Sequence, residues 1–292
     1  MSIDRTILFR LATSARFESA VRAAPGGEEL AWRAASRYVA GRTIDDARRV
    51  VAELGQRGIA CSIDQFGELV EDADVSERVG EDYRRLAASL AGSTEPTWLS
   101  IDLSHLGLDI DSAGCADHLA VIAQALPAGR RIQVGAEDHA RADAVLRCVL
   151  DVAGRGLADR LGATAQANLH RTPNDMEKLM AAGTHIRLVK GAYVEPPNRA
   201  LPFGEPTDVA YRRLAHRLAA AGASFALATH DGVLREALLA ALGTVPVEQL
   251  LGVRTDVVDN LVSRGVPIHI YVPFGDDWFR YWMRRVAESR GI

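Results

Sequence analysis

The chain has 292 residues, 48% of them hydrophobic, which is enough apolar mass for a large core and excludes an intrinsically disordered polymer. Its 34 lysines and arginines against 38 aspartates and glutamates leave a net charge of -4, so there is no broad basic field for nucleic acid or anionic lipid. Three scattered cysteines (Cys61, Cys115, Cys148) argue against a disulfide framework, and without a CxxC or a His pair at ligand spacing no metal site is expected.

The elements alternate along the chain. Residues 1–41 are rich in Arg and Ala and read as a helical N-terminal segment without strand signals. Thr43 can cap a helix with Asp45 and Asp46 in its first turn, and Gly55 or Gly58 ends it. Ile59–Ile63 follows as a strand, then a helix over 76–91 and the strand Thr97–Ile101. A helix over 113–125 stops at Pro127, and Arg131–Val134 is the next strand. Asp138 can cap a helix to about 153, with a weaker strand at 161–167. Thr172-Pro173 reads as a capping hydroxyl followed by a first-turn proline. Gly183 ends that helix before the strand His185–Val189. The loop 194–206 is the longest irregular stretch and the best lid candidate. Thr207-Asp208 caps a helix to Gly222, followed by the strand Ser224–Ala228, a helix at 232–242 and a weak strand at 247–251. A helix at 255–264, the strand Pro267–Tyr271 and a final helix complete the chain.

About eight strand–helix units of this size predict a closed (β/α)8 barrel of the TIM type over 42–292, behind N-terminal helices. An open doubly wound sheet is the alternative, but neither a GxGxxG loop nor a Walker A motif is present. The N-terminus has no long apolar run and no segment reaches bilayer-spanning length, so the chain reads as cytoplasmic, with at most transient membrane contact.

In a barrel, chemistry sits at the C-terminal ends of strands. Arg187 interrupts a strand that should be nearly all apolar, and Lys190 sits at its mouth. A guanidinium there serves either a structural ion pair or an electron-rich ligand, and Gly191 would let a phosphate approach the backbone. His230, in Ala228-Thr-His-Asp231, reads as a packed residue or a ligand contact, and Gln166 as a core amide or a partner for a heterocycle's edge. On the final helix, Phe279, Trp282, Met283 and Val286 form an apolar stripe, while Trp278, Tyr281, Arg285 and Glu288 share another face with Arg284 beside it. Paired guanidiniums among aromatic rings suit a small carboxylate on an apolar body. The other Arg pairs (48–49, 84–85, 130–131, 212–213) read mostly as solvent-facing.

Together these stretches resemble the proline dehydrogenase family of flavin-dependent barrel enzymes, in its short monofunctional bacterial form. The resemblance rests on Arg187-Leu-Val-Lys-Gly-Ala-Tyr193, Ala228-Thr-His-Asp231, Tyr271-Val-Pro-Phe-Gly275 through Arg284-Arg285 and Glu288, Gln166 through Thr172, and Ser62 through Glu68. It implies FAD and oxidation of L-proline to pyrroline-5-carboxylate by hydride transfer to flavin N5. A quinone at the membrane would take the electrons. It implies that Arg187 contacts the reactive flavin nitrogen, and that Gln166, Val189, Lys190, Gly191, Ala192, Thr229, His230, Gly135 and Ala136 line the cofactor. Arg284 and Arg285 would grip the substrate carboxylate, Tyr271 and Tyr281 would wall the ring, and Glu288 would support them.

Two positions depart from the family pattern. Asp102 stands where the second strand of the family carries a lysine, and Gly135 where the third strand ends with an aspartate. A reversed charge about 4 Å from a ligand carboxylate is worth about 4 kcal/mol at an effective dielectric near 20. Unless Asp102 turns to an arginine, that change predicts weakened carboxylate binding. It leaves open a different cyclic amine, or a flavin-binding homologue without proline turnover.

Overall fold

The computed structural model describes residues 14–93 and 95–289. Eight parallel strands close into a barrel, each bonded to the next and the last to the first. They are β1 (Ala60–Gln65), β2 (Thr97–Ile101), β3 (Ile132–Val134), β4 (Leu161–Gln166), β5 (His185–Val189), β6 (Phe225–Ala228), β7 (Val247–Leu250) and β8 (Ile268–Phe274). Two helices, α1 (Ala15–Ala23) and α2 (Gly27–Ala35), precede α3 (Ile44–Gly55), which leads into β1. The helices after successive strands are α4 (Ala73–Ser89), α5 (Ser112–Ala125), α6 (Ala142–Val152), α7 (Thr172–Ala182), α8 (Glu205–Ala220), α9 (Gly232–Leu242), α10 (Thr255–Ser263) and α11 (Trp278–Ser289). Residues 1–13 of the expected N-terminal helical segment lie outside the described part.

Several boundaries follow from local chemistry. Thr43 and Asp46 form a reciprocal capping box at α3, with the Asp46 N–H on Thr43 Oγ1 at 3.3 Å and the Thr43 N–H on Asp46 Oδ2 at 3.1 Å. Gly183, at φ +76°, ends α7. Other expected caps differ. Asp138 accepts from the Arg141 N–H at 3.1 Å, so it stabilises a turn, and α6 begins only at Ala142. The Thr172 hydroxyl donates to the Gln166 carbonyl instead of capping α7. The helix expected from Thr207 starts at Glu205, and the Thr207 hydroxyl donates to the Pro202 carbonyl at 2.8 Å. β8 continues past Tyr271 because Val272 and Phe274 are themselves buried.

One face of each strand packs on the helices. Leu99, Ile101, Val134, Ile186, Leu188 and Val247 are fully buried in that apolar layer. Each such side chain contributes about 1.5–3 kcal/mol over exposure. Alternate strand positions turn into the barrel and are mostly polar or aromatic. Arg131 stacks on Trp98 at 4.0 Å, and Trp98 meets the His269 ring edge-on at 4.1 Å. Arg130 donates to the carbonyls of Ser93, Glu95 and Thr97 at 2.5–2.6 Å. The Arg130-Arg131 pair is therefore structural, contrary to the solvent-facing expectation.

A second apolar cluster joins Ala31, Ala35 and Val39 to Trp278, Phe279, Tyr281 and Met283, with the Trp32 and Trp278 rings 5.1 Å apart. The N-terminal helices thus lie against α11. Trp278 belongs to this core and not to the pocket face predicted for it, because Trp32 supplies an aromatic partner that helical periodicity alone does not reveal.

Candidate active site

Arg187, on β5, donates through Nε to Glu248 on β7. His185 Nε2 and His269 Nδ1 stand 3.9 and 3.7 Å from the other oxygen of Glu248. Burial opposes charge on Glu248, but Arg187 and the two histidines outweigh it and hold the carboxyl well below the usual carboxylate range. Arg187 Nη2 is also buried and has no hydrogen-bond partner among the described residues. Both readings of Arg187 therefore coexist: one edge forms an ion pair and the other keeps a donor.

At the mouths of β1, β2 and β8 lies a cavity of about 200 Å³. Tyr271, Tyr281 and Phe66 wall it, and Arg280 and Arg284 face the carboxyls of Glu18, Asp64, Glu68, Asp102 and Asp277. Asp64 accepts from the hydroxyls of Tyr271 at 2.7 Å and Tyr83 at 2.9 Å. Burial lifts the Asp64 carboxyl to about 6 against the pull of those hydroxyls and of Arg187. Arg284 Nη1 is 3.5 Å from Glu68, and Arg280 is 3.8 Å from the other oxygen of Glu68. Arg187 acts electrostatically on Asp64 and Arg284 on Asp102, so both cations bear on the same cavity. Arg285 is not in the cavity wall; it stacks 4.8 Å from the centroid of the Tyr281 ring. Glu288 lies on α11, but its side chain is outside the described part.

Asp102 and Gly135 fit each other. A Cβ on Gly135 would come within 1.7 Å of Asp102 Oδ1, so the carboxyl occupies the space that any side chain on β3's end would need. Gly135→Asp alone is expected to lower the melting temperature, with overpacking costing about 1–3 kcal/mol. Adding Asp102→Lys removes the collision and joins opposite charges, so the double variant should melt well above the single one in calorimetry.

The mouths of β3 to β6 carry the other predicted residues. Gly191 has φ +115°, and a Cβ there would lie 2.0 Å from Asn168 Oδ1. That Asn168 oxygen is buried without a partner. Lys190 Nζ bridges Asp208 at 2.6 Å and Asp231 at 2.7 Å. Gln166 donates to the Glu137 carbonyl at 2.8 Å, as a satisfied core amide would. Thr229 Oγ1 accepts from the Asp231 N–H at 3.2 Å. His230 Nε2 accepts from the Leu250 N–H at 3.4 Å, while its Nδ1 is buried without a partner. Burial and then Arg285 push His230 down to about 4, leaving it neutral near pH 7. Tyr193 donates to the Ala136 carbonyl at 3.0 Å. Val189 and Ala136 are half-buried here, and Ala192 is exposed.

Glu248 and Tyr83 were not foreseen from sequence. The signal for Glu248 was the one that exposed Arg187, a charge inside a barrel strand. Tyr83 sits on a helix, where its reach to Asp64 has no sequence signature.

The comparisons agree with this geometry. The proline dehydrogenase family model matches residues 47–292. The proline dehydrogenase of Deinococcus radiodurans is 34% identical over 281 residues, covering 91% of this chain and 90% of that one. Proline dehydrogenase 1 of Bacillus subtilis strain 168 is 30% identical over 262 residues, covering 87% and 86%. Among solved structures, proline utilization A from Bdellovibrio bacteriovorus superimposes with a TM-score of 0.83 at 17% identity, over 98% of this chain. The Bradyrhizobium japonicum protein of the same name gives 0.75 at 21% identity, over 90% of this chain. This chain spans 36% and 32% of those two longer chains. The fold is a (β/α)8 barrel, and the chain belongs to the proline dehydrogenase family.

Proposed function

We propose that this chain is an FAD-dependent enzyme that oxidises L-proline, at its ring CH–NH bond, to pyrroline-5-carboxylate. The observation that carries the reading is that Arg187, with its unpartnered Nη2, and Arg284 act on one carboxyl-lined cavity. The chemistry FAD supplies when bound is acceptance of a hydride at N5.

The residues present suit that group. Arg187 Nη2, His230 Nδ1 and the Asn168 oxygen are buried polar atoms without partners, as the edge of a planar heterocycle requires. Gly191 lets backbone approach a bulky ligand closely. Gln166, Val189, Lys190, Ala192, Thr229, Gly135 and Ala136 complete the set, with residues 42–292 as the cofactor-binding unit. Lys190 remains tied to Asp208 and Asp231, so it orients the loop as well as lending charge.

Arg284 binds the substrate carboxylate and so displaces Glu68 from its ion pair, while Arg285 acts through the Tyr281 ring on which it stacks. Tyr271 and Tyr281 wall the ring and exclude water. The Tyr271 hydroxyl, fixed by Asp64, holds that wall in register. The amine must be neutral to release hydride, and Asp64, with a carboxyl near 6, can hold the displaced proton. A membrane quinone would take the electrons by transient contact, since no described helix is long and apolar enough to cross a membrane. Asp102 favours a second reading, in which the amine oxidised is a cyclic relative of proline.

The test is optical. The purified protein should be yellow with flavin absorbance, and anaerobic L-proline should bleach it. Bleaching by another cyclic amine but not by proline selects the second reading. A colourless protein that does not take up added FAD overturns both.

A further inference from the structure

The lysine-to-aspartate exchange at the end of β2 has a physical resolution that charge reversal alone does not supply. Asp102 lines the cavity beside Arg284, yet its carboxyl makes no hydrogen bond and no ion pair with any described residue. Arg284 turns to Glu68, and Arg280 to Glu18 and Glu68. Asp102 is also fixed in place, because its Oδ1 fills the notch that Gly135 leaves open.

The groups that face it are mostly acidic. Asp64 stands at the end of β1 and Glu68 in the loop beyond, and Glu137 follows β3. Tyr271 on β8, Tyr83 on α4 and Tyr193 after β5 present phenols. Arg284 on α11 is the cation among them, and it is shared with Glu68. A further unpaired negative charge in this setting is unfavourable.

We propose that Asp102 recognises the substrate as an uncharged acid, donating its carboxyl O–H to the substrate carboxylate alongside Arg284. An aspartic acid would then replace a cation as donor, and the chain would bind amino acids of the proline class without a lysine at this position. Burial, then Asp64 and Glu137, push the Asp102 carboxyl well up, which agrees with a retained proton. The sign of the pH dependence follows. The donor is present at low pH and is lost as pH rises through the carboxyl's ionisation, after which the same group repels the ligand.

This proposal rests on Arg284 gripping a carboxylate in the proposed function, and its test does not depend on turnover. Cyclopentanecarboxylate, a ring acid without an amine, is titrated into the FAD-reconstituted protein by calorimetry from pH 6 to pH 9. The wild type should lose affinity by about tenfold per pH unit once the Asp102 proton is lost, with proton uptake on binding at the alkaline end. Asp102→Asn, a permanent donor of the same shape, should bind within about threefold of wild type at pH 6 and show no such fall. A protonated-carboxyl band in the wild-type infrared spectrum should be missing from Asp102→Asn. A wild type that lacks the protonated-carboxyl band, no binding at any pH, or an Asn variant that binds more tightly throughout would overturn the proposal, whereas a flat wild-type profile with the band present shows the proton kept across the range. Absence of flavin, or of bleaching by proline or any cyclic amine, would instead count against the proposed function.

Discussion

Glu248→Ala is expected to destabilise the protein by about 3–5 kcal/mol, the range for leaving one member of a buried ion pair without its partner. Arg187 and Glu248 are 8% and 6% exposed, so neither charge has water to replace the other. Removing the carboxyl strands a guanidinium inside the barrel and also takes away the negative charge that His185 and His269 face at 3.9 and 3.7 Å. In a chain of this size the melting temperature should fall on the order of 10 °C. Glu248→Gln, which keeps an acceptor for Arg187 Nε, should lose clearly less. Thermal melts of the wild type and both variants check the claim: variants that melt with the wild type would show that charge compensation at Glu248 is unimportant, and equal values for the two variants would show that the retained acceptor is.

Arg284→Ala should raise the KM for proline roughly a hundredfold, within the 2–5 kcal/mol that follows from truncating a paired charge at a buried polar contact. In the proposed function Arg284 grips a part of the substrate remote from the bond being broken, so its contribution would be nearly the same in ground and transition states. The loss should therefore fall on KM, with kcat changed far less. Its guanidinium opens onto the cavity and holds no strand in place, so the variant should fold and keep its flavin colour. Steady-state kinetics decide the point: a collapse of kcat at unchanged KM would place Arg284 in the chemical step.

The architecture was largely legible in the sequence because most barrel strands are short, mainly apolar runs closed by a breaker, and most helices carry a cap or a glycine stop. Thr97–Ile101 and His185–Val189 coincide with β2 and β5 residue for residue. Arg187 stood out as a charge where burial demands apolar side chains. The errors have two kinds of cause. Thr172, Thr207 and Asp138 carry capping groups, but each is taken up by a backbone group only three to six residues away, in the irregular segment or turn before its helix. Trp278 has helical spacing compatible with a pocket wall and was drawn into the N-terminal cluster by Trp32. The notch at Gly135 was beyond reach for the same reason, since it exists only where two strand ends meet.

The irregular segment after β5 is tied down along its length. His170 N–H donates to the Arg199 carbonyl and Leu201 N–H to the Asn168 carbonyl, at 2.9 and 2.7 Å, and Glu195 accepts from the His139 backbone at 2.9 Å. These bonds fasten the lid candidate to the loop after β4 and to the turn after β3. At the opposite rim Glu68, Arg280 and Arg284 meet through side chains alone, and in the proposed function the substrate passes between them. The threshold there is ionic rather than mechanical, so entry should respond to salt more than to the stiffness of the chain.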